Sequence, residues 1–355
     1  MRHLLVLIML CWAGSAQAEA IKPSQVLQAA VVNVIRPNVL RFDAASRGLH
    51  SAMQALCTAP SAHGKAIADV QFGLVVASYG QIGFLRLGPM MEANRADRLL
   101  FWPDRRGIGL KQVQAILSGQ DSAATEVAGL QGKSVAVQGL GALDYVLSGT
   151  GAEDLTGPEG AFRCAYGLAI SANIAEIAGD LVEGWFAPDG IADHLQMPQE
   201  ANADYRNETE ALEALVGLVS HGLEAMRDQQ LNPFIASGES PAKPKQAPFW
   251  RSGQTMTLLR GTVLGMRSLI GDSQLATAVS EKDKGLANSI DFEFRNALRA
   301  IDLVTLPVDQ AVADGKQAAA LGYLALVTSS LQTMVGEQLS AALGLSVGFS
   351  ALDGD

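Results

Sequence analysis

The sequence has few aromatic residues and a shortage of positive charge. Phe, Trp and Tyr make up 6% of the 355 residues, and 26 Lys and Arg stand against 36 Asp and Glu, which gives a net charge of −10. Proteins that bind nucleic acids hold the phosphate groups with an excess of cations, so this balance argues against a nucleic-acid partner. Few aromatics with abundant Ala and Leu favour helices over sheets.

Two signatures of hydrolases are missing or incomplete. No histidine is followed by a second one four positions later, so the His-Glu-x-x-His motif of zinc proteases is absent. A Gly-x-Ser-x-Gly pattern spans residues 344–348, but no histidine follows it. A serine hydrolase of this type needs its acid and its histidine later in the chain. We therefore interpret the pattern as a coincidence and predict no catalytic residue.

Long apolar runs are scarce as well. A basic start at residues 2–3 precedes the apolar residues 4–12, and Ala16-Gln17-Ala18 supplies small residues after them. This order is typical of a cleaved signal peptide over residues 1–18, since a membrane-spanning helix needs about 20 apolar residues. We recognise no second run of that length. The prediction is an exported protein of the periplasm or cell envelope with no transmembrane segment.

Cysteine is also rare. Cys11 lies within the predicted signal peptide, where the large Leu10 before it disfavours lipid attachment. Cleavage leaves Cys57 and Cys164, and two cysteines in an oxidising compartment most simply form a disulfide. Two buried free thiols are the alternative. Neither cysteine has the spacing of a metal or redox motif, so no chemistry is assigned to them.

Helical periodicity dominates the rest of the sequence. In residues 208–231 apolar side chains recur at spacings of three and four, as they do on one face of a helix. Similar patterns predict helices at 37–56, 66–87, 110–117, 125–148, 161–184, 254–271, 283–303 and 317–343, with a polar helix before Pro103. The predicted fold is all-α, with one helical bundle over residues 24–190 and a second over residues 204–355.

A repeated aromatic pair links the two predicted bundles. Phe101-Trp102 and Phe249-Trp250 each precede a helical segment, and either duplication of one bundle or chance explains the repeat. Arg105 and Arg106 follow the first pair, and guanidinium groups suit carboxylates and other anions. With Trp102, they form either the wall of a ligand site or a set of salt bridges at a helix end. Both interpretations stay open.

One pair of residues has the spacing of metal ligands. His221 and Glu224 are three positions apart on a predicted helix, so both side chains could reach the same ion. Two ligands make an incomplete site, however, and the pair lies off the apolar stripe of its helix. We interpret the pair as an exposed local contact and keep both residues, together with Asp144, as weak candidates for a metal site.

The stretch Val137–Gly149 has two glycines, Gly139 and Gly141, at the start of a predicted amphipathic helix, and one acid, Asp144, among its apolar residues. On a helical wheel, Gly141 and Asp144 share one side, at the margin of the buried face. Gly139 and Gly141 each cost a helix roughly 1 kcal/mol relative to alanine, so both need a reason. Room for a neighbouring backbone or for a ligand is the reason that a missing side chain offers.

The same stretch resembles a known family. Residues 138–149 are similar to the segment around the Gly-x-His-x-x-Glu motif of the imelysin-like family of bacterial envelope proteins. Further similarity comes from Gly88-Pro89, Leu56-Cys57, residues 98–106 and residues 348–355. By this resemblance, Gly139 is the motif glycine, Gly141 stands at the histidine position and Asp144 at the glutamate position. The motif is therefore degenerate.

The resemblance implies two all-helical bundle domains with the motif near their interface, in the cell envelope, with a link to iron uptake or iron-regulated expression. It also implies a place among metallopeptidases. A hydrolytic metal site needs about three protein ligands and an activated water, and residues 139–144 do not supply them. We expect no cofactor, with iron or another divalent metal as the open alternative.

Three functional hypotheses follow. The first, which we favour, is a non-catalytic component of iron-related envelope processes that binds a ligand or an envelope or iron-uptake partner. Its site would be lined by Gly139, Gly141, Asp144, Trp102, Arg105 and Arg106. The second is a metallopeptidase whose ligands lie outside the motif, such as His50 or His221 with Asp144. The third is a structural envelope protein with no small ligand.

Overall fold

The computed structural model describes residues 21–346, and within this range the fold is all-α, as predicted. The described chain contains helices and one isolated bridge, between Ser237 and Ser240, with no strand of a sheet. The predicted signal peptide (1–18), the end of the Gly-x-Ser-x-Gly pattern and the family-like segment 348–355 lie outside the described residues.

The helices follow one another with short connections. The α-helices are α1 Pro23–Ala29, α2 Arg36–Thr58, α3 Ala62–Gly80, α4 Arg95–Leu99, α5 Ile108–Gly119, α6 Val127–Gln131, α7 Leu140–Ser148, α8 Ala161–Phe186, α9 Ile191–Gln196, α10 Glu208–Ala225, α11 Thr255–Gly271, α12 Gly285–Asp302, α13 Val308–Ala311, α14 Gly315–Thr333 and α15 Ser340–Ala342. The π-helical segments are Ala30–Ile35, Met226–Leu231 and Met334–Leu339. The 3₁₀ turns are Gly88–Met90, Glu92–Asn94, Ser122–Thr125, Val135–Val137, Ala152–Thr156, Pro158–Gly160, Pro244–Gln246, Leu275–Thr277 and Glu281–Asp283.

Side-chain caps begin several of these helices where the sequence changes from polar to apolar. Ser61 accepts a hydrogen bond from the amide of Gly64 at the start of α3, and Asn207 accepts one from Glu210 at the start of α10. Asp314 accepts two, from the amides of the first turn of α14. Each cap satisfies amide groups that have no partner within the helix.

The first long helix begins earlier than predicted. The apolar periodicity of the sequence predicts a helix that runs from Pro37 to Leu56. In the structure α1, the π-helical segment Ala30–Ile35 and α2 run on without a break, and Pro37 is the second residue of α2. Val26, Leu27 and Val34 on the added turns are buried, so this part of the helix belongs to the core.

The polar helix predicted before Pro103 is wrong for most of its length. Two 3₁₀ turns, Gly88–Met90 and Glu92–Asn94, replace its first half, and only α4 is α-helical. The cause is local backbone geometry, because Ala93 and Asn94 have φ angles of 49° and 55°, in the left-handed region. The chain leaves α4 in an extended conformation at Leu100 and reaches α5 through a loop.

The two predicted bundles meet closely at the crossing of α3 and α11. A Cβ atom added at Gly261 would lie 2.5 Å from the carbonyl oxygen of Ala77, and one at Gly265 would lie 2.6 Å from that of Gln81. Backbone packs directly on backbone there, which only glycine allows. The division into residues 24–190 and 204–355, and its origin by duplication, stay predictions.

A disulfide joins the helices that carry the two predicted cysteines. Cys57, near the end of α2, is bonded to Cys164 on α8, with a Cα–Cα distance of 5.5 Å. The α2 and α8 helices also pack along their length. The bridge, predicted from the cysteine count and the expected export, therefore links two helices that also pack against each other.

One helix meets the length and composition of a membrane span. Together, α14, the π-helical segment Met334–Leu339 and α15 form a continuous helix, Gly315–Ala342. The expectation that no second apolar run reaches this length is thereby corrected. The helix packs against α10 and α12. Core helices of folded domains meet the same two criteria, so the absence of a transmembrane segment stays a prediction.

Candidate functional site

A cavity of about 590 Å³ lies at the start of α7, with walls from both predicted halves of the chain. The first half supplies the loop between α4 and α5 and one side of α7, and the second half supplies the end of the π-helical segment Met226–Leu231 and the residues before α11. Its aromatic lining residues are Phe101, Trp102, Tyr145, Phe249 and Trp250. Its charged lining residues are Asp104, Arg105, Asp144, Asp228, Lys245 and Arg251.

The loop before α5 is held in place by two side chains. Asp104 accepts hydrogen bonds from the amides of Ile108 (2.8 Å) and Leu110 (3.2 Å) and so caps the N-terminus of α5. The indole Nε1 of Trp102 donates to the carbonyl oxygen of Gln229, at 2.8 Å, in the π-helical segment. These contacts fix the wall that the sequence predicts from Trp102 and Arg105.

The two predicted arginines differ in position. Arg105 is exposed and lines the cavity. Arg106, also exposed, is not among the lining residues, because the loop turns at Gly107 into α5. The adjacent pair therefore provides one arginine to the site and one to the outer surface.

The two glycines of the motif serve opposite purposes. Gly139 precedes α7, and a Cβ atom there would lie 2.2 Å from the carbonyl oxygen of Arg98 and 2.4 Å from that of Leu99. It is a packing residue and does not line the cavity. Gly141 does line it, and a Cβ atom there would meet only Leu100 Cδ1, at 4.0 Å. The absence of a side chain at position 141 opens the cavity.

Asp144 lies one helical turn beyond Gly141 and is buried, with 3% of its surface exposed. Its Oδ1 atom accepts hydrogen bonds from the hydroxyl of Ser252 (2.5 Å) and from the amide of Ser252 (3.3 Å). Burial raises the pKa of the carboxyl above its ordinary value, while the Ser252 hydrogen bonds and the charge of Arg251 act in the opposite direction. Asp144 thus ties α7 to the residues before α11.

Arg251 and Ser252 are site residues that the sequence analysis missed. The guanidinium of Arg251 lies 4.6 Å from the ring centroid of Trp250 and 5.2 Å from that of Tyr145. The Nζ atom of Lys245 lies 5.8 Å from the ring of Trp250. The repeat of Phe-Trp directly before Arg251 is the available signal, but the sequence alone explains that repeat equally by duplication or by chance.

The weak metal candidates are not brought together. His221 lines a second cavity, of about 570 Å³, whereas Asp144 lines the first. Glu224 is buried, with 8% of its surface exposed, which corrects the interpretation of the pair as an exposed contact. His50 lies beside Ser171, with 3.2 Å between Nδ1 and Oγ. Among residues 21–346, no three His, Cys, Asp or Glu side chains form a group that fits a metal ion.

The donor set around Asp144 does not fit a resident metal ion. Position 141 has no donor atom, and Oδ1 of Asp144 already accepts two hydrogen bonds from Ser252. The nearby charge of Arg251 is positive and would oppose a cation. Protein metal centres use about three or more N, O or S ligands, and residues 139–144 offer a single carboxylate side chain.

Comparison with known proteins identifies relatives over most of the chain. The family model of imelysin, peptidase family M75, matches residues 37–333. An imelysin-like protein from Psychrobacter arcticum is similar in structure, with a TM-score of 0.75 and 19% identity over 93% of this chain and 98% of that one. An iron-regulated protein A precursor from Parabacteroides distasonis has a TM-score of 0.68 and 14% identity over 91% and 97%. No curated protein matches the sequence.

The opposite surroundings of the two glycines predict opposite effects of alanine. Gly139→Ala should lower the free energy of unfolding by about 1–3 kcal/mol, because its Cβ would overlap the backbone of Arg98 and Leu99. Gly141→Ala should raise it by up to about 1 kcal/mol, because alanine favours the helix and meets open space. Urea unfolding of both variants measures the difference. Equal effects of the two substitutions would contradict this assignment.

The burial of Asp144 predicts a pH dependence of stability. Its raised pKa means that the folded state holds the proton more tightly than the unfolded state, so stability falls as pH rises above the ordinary value of 3.8. Asp144→Asn cannot ionise and still accepts from Ser252. It should be more stable than the unchanged protein at pH 7, and the difference should close as pH falls toward 4.

Urea unfolding between pH 4 and pH 8 tests this expectation. Asp121→Asn is the control, because a hydrogen bond from Lys133 lowers the pKa of Asp121 and the pH effect should have the opposite sign. An Asp144→Asn variant that is less stable than the unchanged protein by the same amount at every pH would mean that the carboxylate stabilises the fold as an ion.

Proposed function

Because this chain belongs to the imelysin family, we propose that it is an exported, non-catalytic protein that binds a small ligand in the cavity at the start of α7. We further propose that it serves an iron-related process of the cell envelope. The relative from Parabacteroides distasonis is described as an iron-regulated protein A precursor, which supports both the link to iron and export. The signal-like residues 1–18 support a periplasmic or envelope location.

The observation that carries the binding role is the opening at Gly141 beside the buried Asp144. By the family resemblance, a histidine would stand at position 141 and a glutamate at position 144. Glycine at position 141 has no side chain and leaves open space there. The Oδ1 atom of Asp144 already accepts a hydrogen bond from the hydroxyl of Ser252. The volume of about 590 Å³ lies within the usual range for small-ligand sites, which is about 300–1,000 Å³.

The chemistry of the lining supports binding without catalysis. Among the described residues that line the cavity there is no histidine or cysteine. The hydroxyl of Ser252 donates to Asp144, and no imidazole lies beside it to activate it as a nucleophile. What the lining offers instead is five aromatic rings, three cations and three acids, which suit recognition of a small molecule. A partner among envelope or iron-uptake proteins would receive or deliver this ligand.

The neutral fluorescent dye N-phenyl-naphthylamine, abbreviated NPN, tests whether the cavity accepts an organic molecule. We expect one dye per chain, with a rise in emission as it leaves water. Gly141→Trp should weaken binding by at least about tenfold, because the indole would fill the cavity from the start of α7. Gly141→Ala, which adds one methyl group at the same place, is the matched control and should bind almost as well as the unchanged protein.

Two outcomes would contradict the proposed function. If neither NPN nor its anionic sulfonate analogue binds at one site per chain, the cavity does not accept a ligand of this size. If either dye binds the Gly141→Trp variant as strongly as the unchanged protein, its site lies elsewhere. Circular dichroism of the variant confirms that it is folded before either result is interpreted.

A further inference from the structure

The three acids that line the cavity already have partners within the protein. Asp104 accepts from two amides at the start of α5. Asp228 accepts from Arg227 (2.7 and 2.9 Å) and from Asn232 (3.0 Å). Asp144 accepts from Ser252. Their negative charges are therefore offset by a cation, a helix N-terminus or a pair of hydrogen bonds.

The three cations of the lining differ from the acids in this respect. Within residues 21–346 no carboxylate lies within ion-pair distance of Arg105, Lys245 or Arg251, and none of the three donates a hydrogen bond to that part of the chain. The charge of Arg251 acts on the nearby Asp144, so this cation is partly compensated. Arg105 and Lys245 are exposed and have no such neighbour among the lining acids. The cavity thus presents to a ligand the N–H donors of three cations that have no ion-pair partner in the described chain.

Aromatic rings hold two of these cations without neutralising them. Arg251 lies over the rings of Trp250 and Tyr145, and Lys245 lies over Trp250. A cation above an aromatic face keeps its charge and its hydrogen-bond donors. Two of the rings are themselves anchored, since Trp102 donates to Gln229 and the hydroxyl of Tyr145 accepts from Gln114 at 3.1 Å. Planar surface and positive charge therefore occur in one cavity.

We infer that the ligand of this cavity is an organic anion that carries an aromatic ring. The ring would pack against Trp102, Tyr145 and Trp250, and the anionic group would meet Arg105, Lys245 and Arg251. A guanidinium is suited to a carboxylate or a similar oxyanion because it offers parallel N–H donors. This inference rests on the proposed function, which requires only that the cavity bind a small molecule, and adds the chemical class of that molecule.

Two dyes that differ only by a sulfonate group test the inference. Anilinonaphthalene sulfonate, abbreviated ANS, is the anionic counterpart of NPN, and its sulfonate represents the oxyanion of the ligand. Fluorescence titration should show ANS binding at one site per chain, about tenfold or more tighter than NPN. Added salt should weaken the binding of ANS and leave the binding of NPN unchanged, because only the sulfonate of ANS is attracted by the exposed cations.

Neighbouring residues provide matched variants. Arg105→Gln and Lys245→Gln should each weaken ANS binding about threefold to tenfold and weaken NPN binding less, and the double variant should bind the two dyes almost equally. Arg106→Gln removes the same charge one residue away, outside the cavity lining, and should change neither dye. All three side chains are exposed, so the substitutions leave the core intact.

The outcomes separate this inference from the proposed function. If ANS and NPN bind equally and Gly141→Trp removes both, the cavity is a ligand site and the anionic class is wrong. If Arg106→Gln weakens ANS as much as Arg105→Gln does, the effect is general surface charge and the inference is also wrong. If neither dye occupies the cavity, the proposed function fails together with it.

Discussion

The structure of the site depends on the contact between Asp144 and Ser252. A carboxylate with only 3% exposure must have hydrogen-bond donors, and both donors to Oδ1 come from a residue 108 positions later in the chain. Asp144 is therefore the point at which α7 is tied to the residues before α11. The same tie places Arg251, the residue next to Ser252, over the rings of Tyr145 and Trp250. The aromatic and cationic wall of the cavity follows from that one buried hydrogen-bonded pair.

Much of the fold was predictable because helices are local. The long amphipathic segments that become α8, α10 and α11 follow from spacings of three and four residues, and the wheel correctly places Gly141 and Asp144 on one side of α7. The failures have local physical causes. Left-handed backbone at Ala93 and Asn94 interrupts a predicted helix, and a π-helical segment before Pro37 extends the first long helix back to α1. Neither feature has a signal in apolar periodicity.

The sequence pointed to only one wall of the cavity, which is formed by α7 and the loop between α4 and α5. Of the six residues that the sequence suggests for a ligand site, the structure brings Trp102, Arg105, Gly141 and Asp144 together around one cavity. Gly139 packs against backbone, and Arg106 is not among the lining residues. Arg251 and Ser252 reach Asp144 by a tertiary contact, and no spacing rule relates residues so far apart. The repeated Phe-Trp pair did mark both walls, since each pair lines the same cavity. Only the folded structure shows that the two pairs lie on the same cavity.

The central claim is that Gly141 and Asp144 belong to a cavity for an organic anion, in place of the metal centre that the family motif implies. Native mass spectrometry of the full chain, incubated in parallel with Fe(II), Zn(II) and ANS, tests this claim most directly. We expect one bound ANS per chain, lost in the Gly141→Trp variant, and no metal adduct that depends on Asp144. One tightly bound metal ion per chain that disappears in Asp144→Ala, with no bound ANS, would contradict it.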